Sequence, residues 1–302
     1  MSTESPSQWN DGFTGAPLSR QSLFDMLEGT VPFIKEAQFI PLHVAEKLEQ
    51  ALSPQLTKYL HATGPPLLKV GVAQFEYQAQ AEADLEGRPS DAKQRYFLEA
   101  QKHQGLHSKL AELCGQNIWK TVIDRIQSLL PDWDVVVAEE GPGKQYFSGI
   151  FRAINQSTPI HCDWSPYDSR TEDWIINKVT QQGVFNLYLT PVTGGQTEVY
   201  DVQWTPEVLK YRDPESYGYW PKLVEGRGKV AIQPQVCDLC FFSSRNMHKV
   251  FPVEREAGAK ANTHPHTADP VDGTRARLTL SSFFGTLPPM NPGEKPKLIL
   301  WS

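Results

Sequence analysis

The chain has 302 residues, 39% of them hydrophobic, and a formal charge of −6. That length suits one large domain or two small ones, with apolar residues enough for a substantial core. The acidic balance without any Lys/Arg block argues against nucleic acid and anionic membranes as partners, and no apolar run approaches the roughly 20 residues of a membrane helix.

Residues 1–16 are rich in Ser, Thr, Pro and Gly and are expected to be flexible. They lack the apolar stretch of a signal peptide, and four cysteines do not suggest a disulfide framework, so a cytoplasmic setting is expected. Residues 41–60 read as a helix on the four-residue steps of Val44, Leu48, Leu52 and Leu56, with Pro54 set to break it near its end. Residues 91–114 read as a second helix carried by Phe97, Leu106, Leu110 and Leu113, with Gly115 as its stop. Residues 116–130 read as a third, on Val122, Ile126 and Leu129, ended by Pro131.

Beyond Pro131 the pattern changes to short β-rich runs between Gly, Pro, Asn and Asp clusters. The expected strands are 133–138, 146–154, 184–189, 197–200, 229–232, 236–242, 248–252 and 277–284. Strands in this number without long helices between them point to two facing sheets. Residues 253–276 read as one long loop suited to cover a site. The expected fold class is therefore α+β. Residues 17–302 form a single domain, with a helical layer over about 17–130 packed on a double-stranded β-helix (jelly-roll) core over about 131–302.

The chemistry concentrates in Pro159-Ile160-His161-Cys162-Asp163-Trp164. Residues at i and i+2 of a strand share a face, so His161 and Asp163 can reach one metal. Ser165 and Pro166 then leave the strand, which puts the pair at a rim. His248, in Asn246-Met247-His248-Lys249-Val250, supplies a third ligand. Two imidazoles and one carboxylate on one face of a metal form the facial triad of non-haem Fe(II) oxygenases and leave coordination positions open. Alone, His-x-Asp is weak, and it equally fits a surface turn in which Asp163 caps backbone N–H groups.

Context strengthens the metal reading. Pro234 to Phe242 resembles the Pro-x-x-Gly-Asp-x-x-x-Phe turn and strand that precede the second histidine of jelly-roll oxygenases, with Cys237 at the usual glycine. Arg277-Leu278-Thr279 resembles the Arg-x-Ser/Thr pair with which many of these enzymes hold the distal carboxylate of 2-oxoglutarate. A guanidinium can bind that carboxylate bidentately while the hydroxyl adds a donor. In an extended strand Arg275 shares the face of Arg277 and is a rival anchor. The Arg-x-Thr pattern favours Arg277, and the competing reading makes Arg275 a solvated ion pair.

Together these residues resemble the Fe(II)/2-oxoglutarate-dependent oxygenase superfamily. Val184 to Pro191, Gly194 to Tyr200, Ser216 to Tyr219 and Ser282 to Gly285 are similar to one branch of it. That branch holds hydroxylases of N-substituted amino acids and freestanding halogenases of indole alkaloids. The likeness covers roughly residues 130–302. It implies Fe(II) on His161, Asp163 and His248, 2-oxoglutarate and O2 as co-substrates, and succinate and CO2 as co-products. The halogenases carry a small residue at the position of Asp163, where halide then binds. The carboxylate therefore implies hydroxylation of an unactivated C–H bond in a small amino-acid-derived or natural-product substrate. Desaturation, ring closure and oxidation of a peptide or protein are the alternatives. A jelly-roll binding module without catalysis is a further one, and assembly stays open, a homodimer included.

Arg152, Trp164, Tyr167, Asn186 and Tyr188 are the candidate substrate residues, each with packing as its competing account. His103 and His107 have i,i+4 spacing but no nearby third ligand and read as a helix-surface pair. His264 and His266 read as solvated loop residues. Cys237 and Cys240 read as buried and inert, facing opposite sides of a strand.

Overall fold

The computed structural model describes residues 9–59, 67–78, 91–170, 172–254, 275–289 and 291–302. Nearly all of the expected 253–276 loop, with His264 and His266, lies outside the described residues.

Among the described residues of the first half, five helices run two turns or more: α1 (Arg20–Glu28), α2 (Leu42–Leu52), α3 (Ala92–His103), α4 (Leu106–Cys114) and α5 (Ile118–Leu129). α1 was not expected. Ser19 accepts from the Ser22 amide at its start, Gly29 closes it in the left-handed conformation, and Leu23, Met26 and Leu27 form its buried stripe. α2 stops at Leu52 rather than near residue 60. Pro54 cannot donate a helical hydrogen bond, so the chain tightens into a 3-10 turn over Ser53–Gln55. The single helix expected over 91–114 is two, because the chain breaks at Gln104 and Gly105.

The described strands are β1 (Ile34–Glu36), β2 (Thr57–Lys58), β3 (Leu68–Val70), β4 (Asp134–Val137), β5 (Ile150–Ala153), β6 (Gln181–Tyr188), β7 (Thr197–Gln203), β8 (Lys229–Ile232), β9 (Leu239–Phe242), β10 (Asn246–Val250), β11 (Leu278–Leu287) and β12 (Lys297–Trp301). Nine form a large sheet of order β1-β9-β6-β11-β5-β3-β2, with β12 beside β11 and β4 parallel to β12. β10, β7 and β8 form a second, antiparallel sheet. β1, β2 and β3 come from the stretch expected to be wholly helical, so that half of the chain also builds sheet. β5 is shorter than expected because Gly149 sits at φ 85 against Trp119 and His107, where a Cβ would collide with both rings.

The large sheet is buried on both faces. One face packs Phe151, Phe185, Leu187, Phe241 and Leu280 against helix residues such as Leu23, Met26, Val44, Leu48, Val122 and Ile126. The other packs Val184, Tyr188, Cys240 and Phe242 against Val199, Val230 and Ile232 of the small sheet. Each fully buried Leu, Ile or Phe contributes roughly 1.5–3 kcal/mol relative to exposure, so these two layers are the main stabilising term. Trp9 joins the second layer and Phe13 meets Phe33 edge-on, so packed chain begins before residue 17. Among the described residues, no helix is long and apolar enough to cross a membrane.

Candidate metal centre

His161 lies just outside the regular strands, and His248 lies on β10. Their backbones form an antiparallel bridge: His161 N–H donates to the His248 carbonyl at 2.9 Å and His248 N–H to the His161 carbonyl at 2.7 Å. This pairing sets the rings side by side, with centroids 4.2 Å apart. Asp163 is pinned from both sides. Its amide donates to the Ser244 carbonyl at 2.8 Å, and its carbonyl accepts from Gln182 Nε2 at 2.9 Å and Ser244 Oγ at 3.0 Å. A short helix, α6 (Ser165–Asp168), follows at once and takes the chain away.

Ligand atoms from His161, Asp163 and His248 lie within 4.8 Å of one another. His248 Nε2 is 3.5 Å from Asp163 Oδ2. Each imidazole uses Nδ1–H to donate to a backbone carbonyl, His161 to Pro159 and His248 to Asn246, both at 2.9 Å. Those carbonyls only accept, so the proton sits on Nδ1 and Nε2 keeps its lone pair. This is the outer support that orients metal-ligating histidines. Burial and the neighbouring His248 push the His161 imidazole down to about 4, so it is neutral and able to ligate at pH 7. Burial pushes the Asp163 carboxyl up, but the neighbouring His248, His161 and Arg152 outweigh it and hold Asp163 below the usual carboxylate value. The donor set of two imidazoles and one carboxylate fits a divalent transition metal.

Arg277 and Arg275 separate clearly. Arg275 precedes β11 and makes a two-pronged pair with Glu49, at 2.7 and 2.5 Å, on the surface. Arg277 is 3% exposed and reaches inward, donating through Nη1 to the Gly195 carbonyl and lying over the Tyr188 ring at 5.9 Å. Its Nε has no hydrogen-bond partner among the described residues. A buried guanidinium with an unmet donor is costly unless an anion completes it. Gly195, at φ 66, makes room, since a Cβ there would press on Arg277 Cδ at 3.1 Å. Thr279 follows on the same face, its Oγ1 3.1 Å from Ser281 Oγ, and Ser281 donates to Asn186.

The remaining sequence candidates fall in two places. Arg152, Asn186 and Tyr188 lie on the inner face of the large sheet, in register with Thr279 and Ser281. Trp164 and Tyr167 pack beside Trp204, with Arg245 over Trp164 at 4.9 Å and the Tyr167 and Trp204 rings 4.7 Å apart. Sequence reasoning did not assign Tyr217 and Phe242 to the site, yet Tyr217 meets His161 edge-on at 5.4 Å and Phe242 meets His248 at 5.0 Å. Asp168 was also missed. It is half-buried, caps the Trp164 amide at 2.8 Å, and is pushed up to about 7 chiefly by desolvation. His103 and His107 are not a pair on one helix: they end α3 and open α4, and His107 is stacked between Trp119 and Phe147.

Comparisons with known proteins agree with this geometry. A family model described as carrier-protein-independent halogenase WelO5 matches residues 85–264. The leucinostatins biosynthesis cluster protein S of Purpureocillium lilacinum is 34% identical over 241 residues, 79% of this chain and 86% of that protein. Among solved structures, an N-substituted L-amino acid dioxygenase from Burkholderia ambifaria AMMD superposes with a TM-score of 0.53 at 13% identity, covering 93% of this chain and 91% of that one. The same dioxygenase in complex with alpha-KG gives 0.50 at 13% identity, covering 92% and 90%. At that identity the structural likeness speaks for the fold.

Proposed function

This chain belongs to the carrier-protein-independent halogenase WelO5 family, whose enzymes depend on Fe(II) and 2-oxoglutarate, and within it we propose that this enzyme hydroxylates an unactivated C–H bond of a small amino-acid-derived or natural-product substrate. Substrate, 2-oxoglutarate and O2 are consumed, and hydroxylated product, succinate and CO2 are released. The observation that carries the reading is Asp163. A halogenating member of the family needs a small residue there to admit halide. Here a carboxylate with 39% side-chain exposure lies beside two oriented imidazoles. The biosynthetic cluster named for the relative and the N-substituted amino acid named for the fold neighbour support a small substrate.

His161 Nε2, His248 Nε2 and the Asp163 carboxylate would hold Fe(II). When bound, the metal with its co-substrates supplies the oxidant that breaks the C–H bond. The protein's own residues do the rest. Arg277, with its unmet Nε, would take the distal carboxylate of 2-oxoglutarate, and Thr279 would add a hydroxyl. Asn186 and Tyr188 would floor the cavity, while Trp164 and Tyr167 would line its rim and exclude water. Tyr217 and Phe242 brace the two imidazoles from the edges. Positioning of this kind sets which C–H bond is attacked.

The architecture is read as a jelly roll. In chain order, β5, the 160–161 segment, β6, β7, β8, β9, β10 and β11 fall in large, small, large, small, small, large, small and large sheet. His161 joins the small sheet through its bridge to His248. This interleaving supports the winding of a double-stranded β-helix. Residues 17–302 would fold as one unit, because β1 and β3 add to the same large sheet.

The test is anaerobic absorption spectroscopy of the purified protein with Fe(II), before and after 2-oxoglutarate. A new visible charge-transfer band is expected, and its absence from folded protein would overturn the reading. Asp163→Ala should lose hydroxylation altogether, and full activity in that variant removes the triad.

A further inference from the structure

Two guanidinium groups, Arg277 buried and Arg152 half-buried, face the interior of the large sheet, and they point in opposite directions along the line of β11. Thr279 is paired with Arg152 on one side and Tyr188 on the other, so all three share a level and a face. Arg277, two residues before Thr279 and just ahead of β11, leans over Tyr188 and toward Gly195. Arg152 instead lies over the ring of Phe283, four residues further along β11, at 5.3 Å. Phe283 is in register with Val184, Val184 with Phe242, and Phe242 touches the His248 ring. Arg152 therefore sits at the level of the metal ligands.

Arg152 is also built into place. Its Nε donates to Tyr59 Oη at 3.0 Å. The Tyr59 ring is buried, with Lys69 Nζ 5.1 Å from its centroid, and Lys69 is paired with the fully buried Glu76. Other cations are satisfied: Lys69 by Glu76, Arg275 by Glu49, Arg125 by Glu36. Arg152 has no carboxylate within 4.0 Å among the described residues. A half-buried guanidinium held by a tyrosine, stacked on a phenylalanine and left without an anion is a preformed receptor for one.

We infer that Arg152 binds a carboxylate of the substrate, so that the enzyme's substrates are carboxylic acids anchored opposite the 2-oxoglutarate site. This deepens the function proposed above and rests on it. Tyr59, Lys69 and Glu76 are positioning residues that hold the fork toward the metal. A single fixed carboxylate would also define the reach from anchor to attacked carbon, and hence the regiochemistry.

The experiment is calorimetric titration of the anaerobic protein, loaded with Fe(II) and saturating 2-oxoglutarate, with N-acetyl-L-leucine and with its carboxamide. The pair differs chiefly in charge. The wild type should bind the acid about 10- to 100-fold more tightly than the amide, the range expected of a hydrogen-bonded charge pair. Arg152→Gln should remove that preference, and Arg152→Lys, which keeps the charge but not the fork, should retain part of it. The charge-transfer band should survive in both variants. Equal binding of acid and amide by the wild type, or binding of neither, overturns the inference. So does an Arg152→Gln variant that loses 2-oxoglutarate as severely as Arg277→Gln, which would place Arg152 in the co-substrate site. The function proposed above fails separately, if the wild type forms no band before any titrant is added.

Discussion

The molecule holds two kinds of histidine pair, and sequence spacing alone picks the wrong one. His103 and His107 have the i,i+4 spacing of helical metal ligands, whereas His161 and His248 are far apart in the chain. In the fold, His107 donates from Nε2 to the Ser148 carbonyl at 3.0 Å and lies between the Trp119 and Phe147 rings, while His103 Nε2 is 3.4 Å from Glu99. Both are occupied by the protein itself. His161 and His248 spend only Nδ1 on the backbone and keep Nε2 for a shared centre with Asp163. A ligand is a side chain with a free, oriented donor, and spacing does not report that.

The largest effect should come from breaking the open pair. His248→Ala removes a ligand and its backbone-braced orientation. Loss of at least about 100-fold in Fe(II) affinity is expected, at or beyond the loss seen when only a ligand's outer partner is removed. His107→Phe keeps the stack and should leave Fe(II) binding unchanged. Equilibrium dialysis with Fe(II) under anaerobic conditions reads both. Equal loss in the two variants would erase the distinction between the pairs.

The arginines repeat the contrast. Arg277→Gln should weaken 2-oxoglutarate binding by about 10- to 100-fold, because it removes a buried charged donor set. Arg275→Gln should change it by less than about twofold. Its guanidinium is committed to Glu49 on the surface, where an exposed pair contributes roughly 0–1 kcal/mol to stability. Titration of the charge-transfer band measures both constants, and a larger loss in Arg275→Gln would reverse the assignment.

What the sequence made legible follows from how local each signal is. The stripes of α2 and α5 and the run of β8 are set by nearby residues and were read correctly in type. β12 was missed because Leu298–Trp301, after its first residue Lys297, is a continuous apolar run that is buried throughout, so it shows no alternation. His161, Asp163 and His248 stand out in the sequence because the motif residues carry the chemistry themselves, and the fold brings their ligand atoms together. Tyr217, Tyr59 and Asp168 were not assigned, since their part depends on which loops and strands meet at the site. Cys237 is a mixed case. It stands at the glycine of the expected turn and holds φ 72, so the turn survives and the chain carries the strain.

The closed pair has its own signature in acid. Burial pushes the His107 imidazole down to about 4, partly offset by the carbonyl it donates to. The unfolded chain would take up the proton near pH 6.5 while the folded state resists until about pH 4. Stability from this group is therefore complete above pH 6.5 and is lost as the pH falls toward 4, by up to about 3 kcal/mol. His107→Phe cannot be protonated. At pH 7 it should cost roughly 1–2 kcal/mol by leaving the Ser148 carbonyl without this donor. Below pH 6.5 its deficit should shrink and then reverse. Urea unfolding of wild type and variant in the metal-free state between pH 7 and 4 gives the difference directly, with the His161 contribution common to both. A deficit that stays constant across that range would mean His107 is protonated as freely in the fold as in water, and the stacking of its ring between Trp119 and Phe147 would then have no electrostatic consequence.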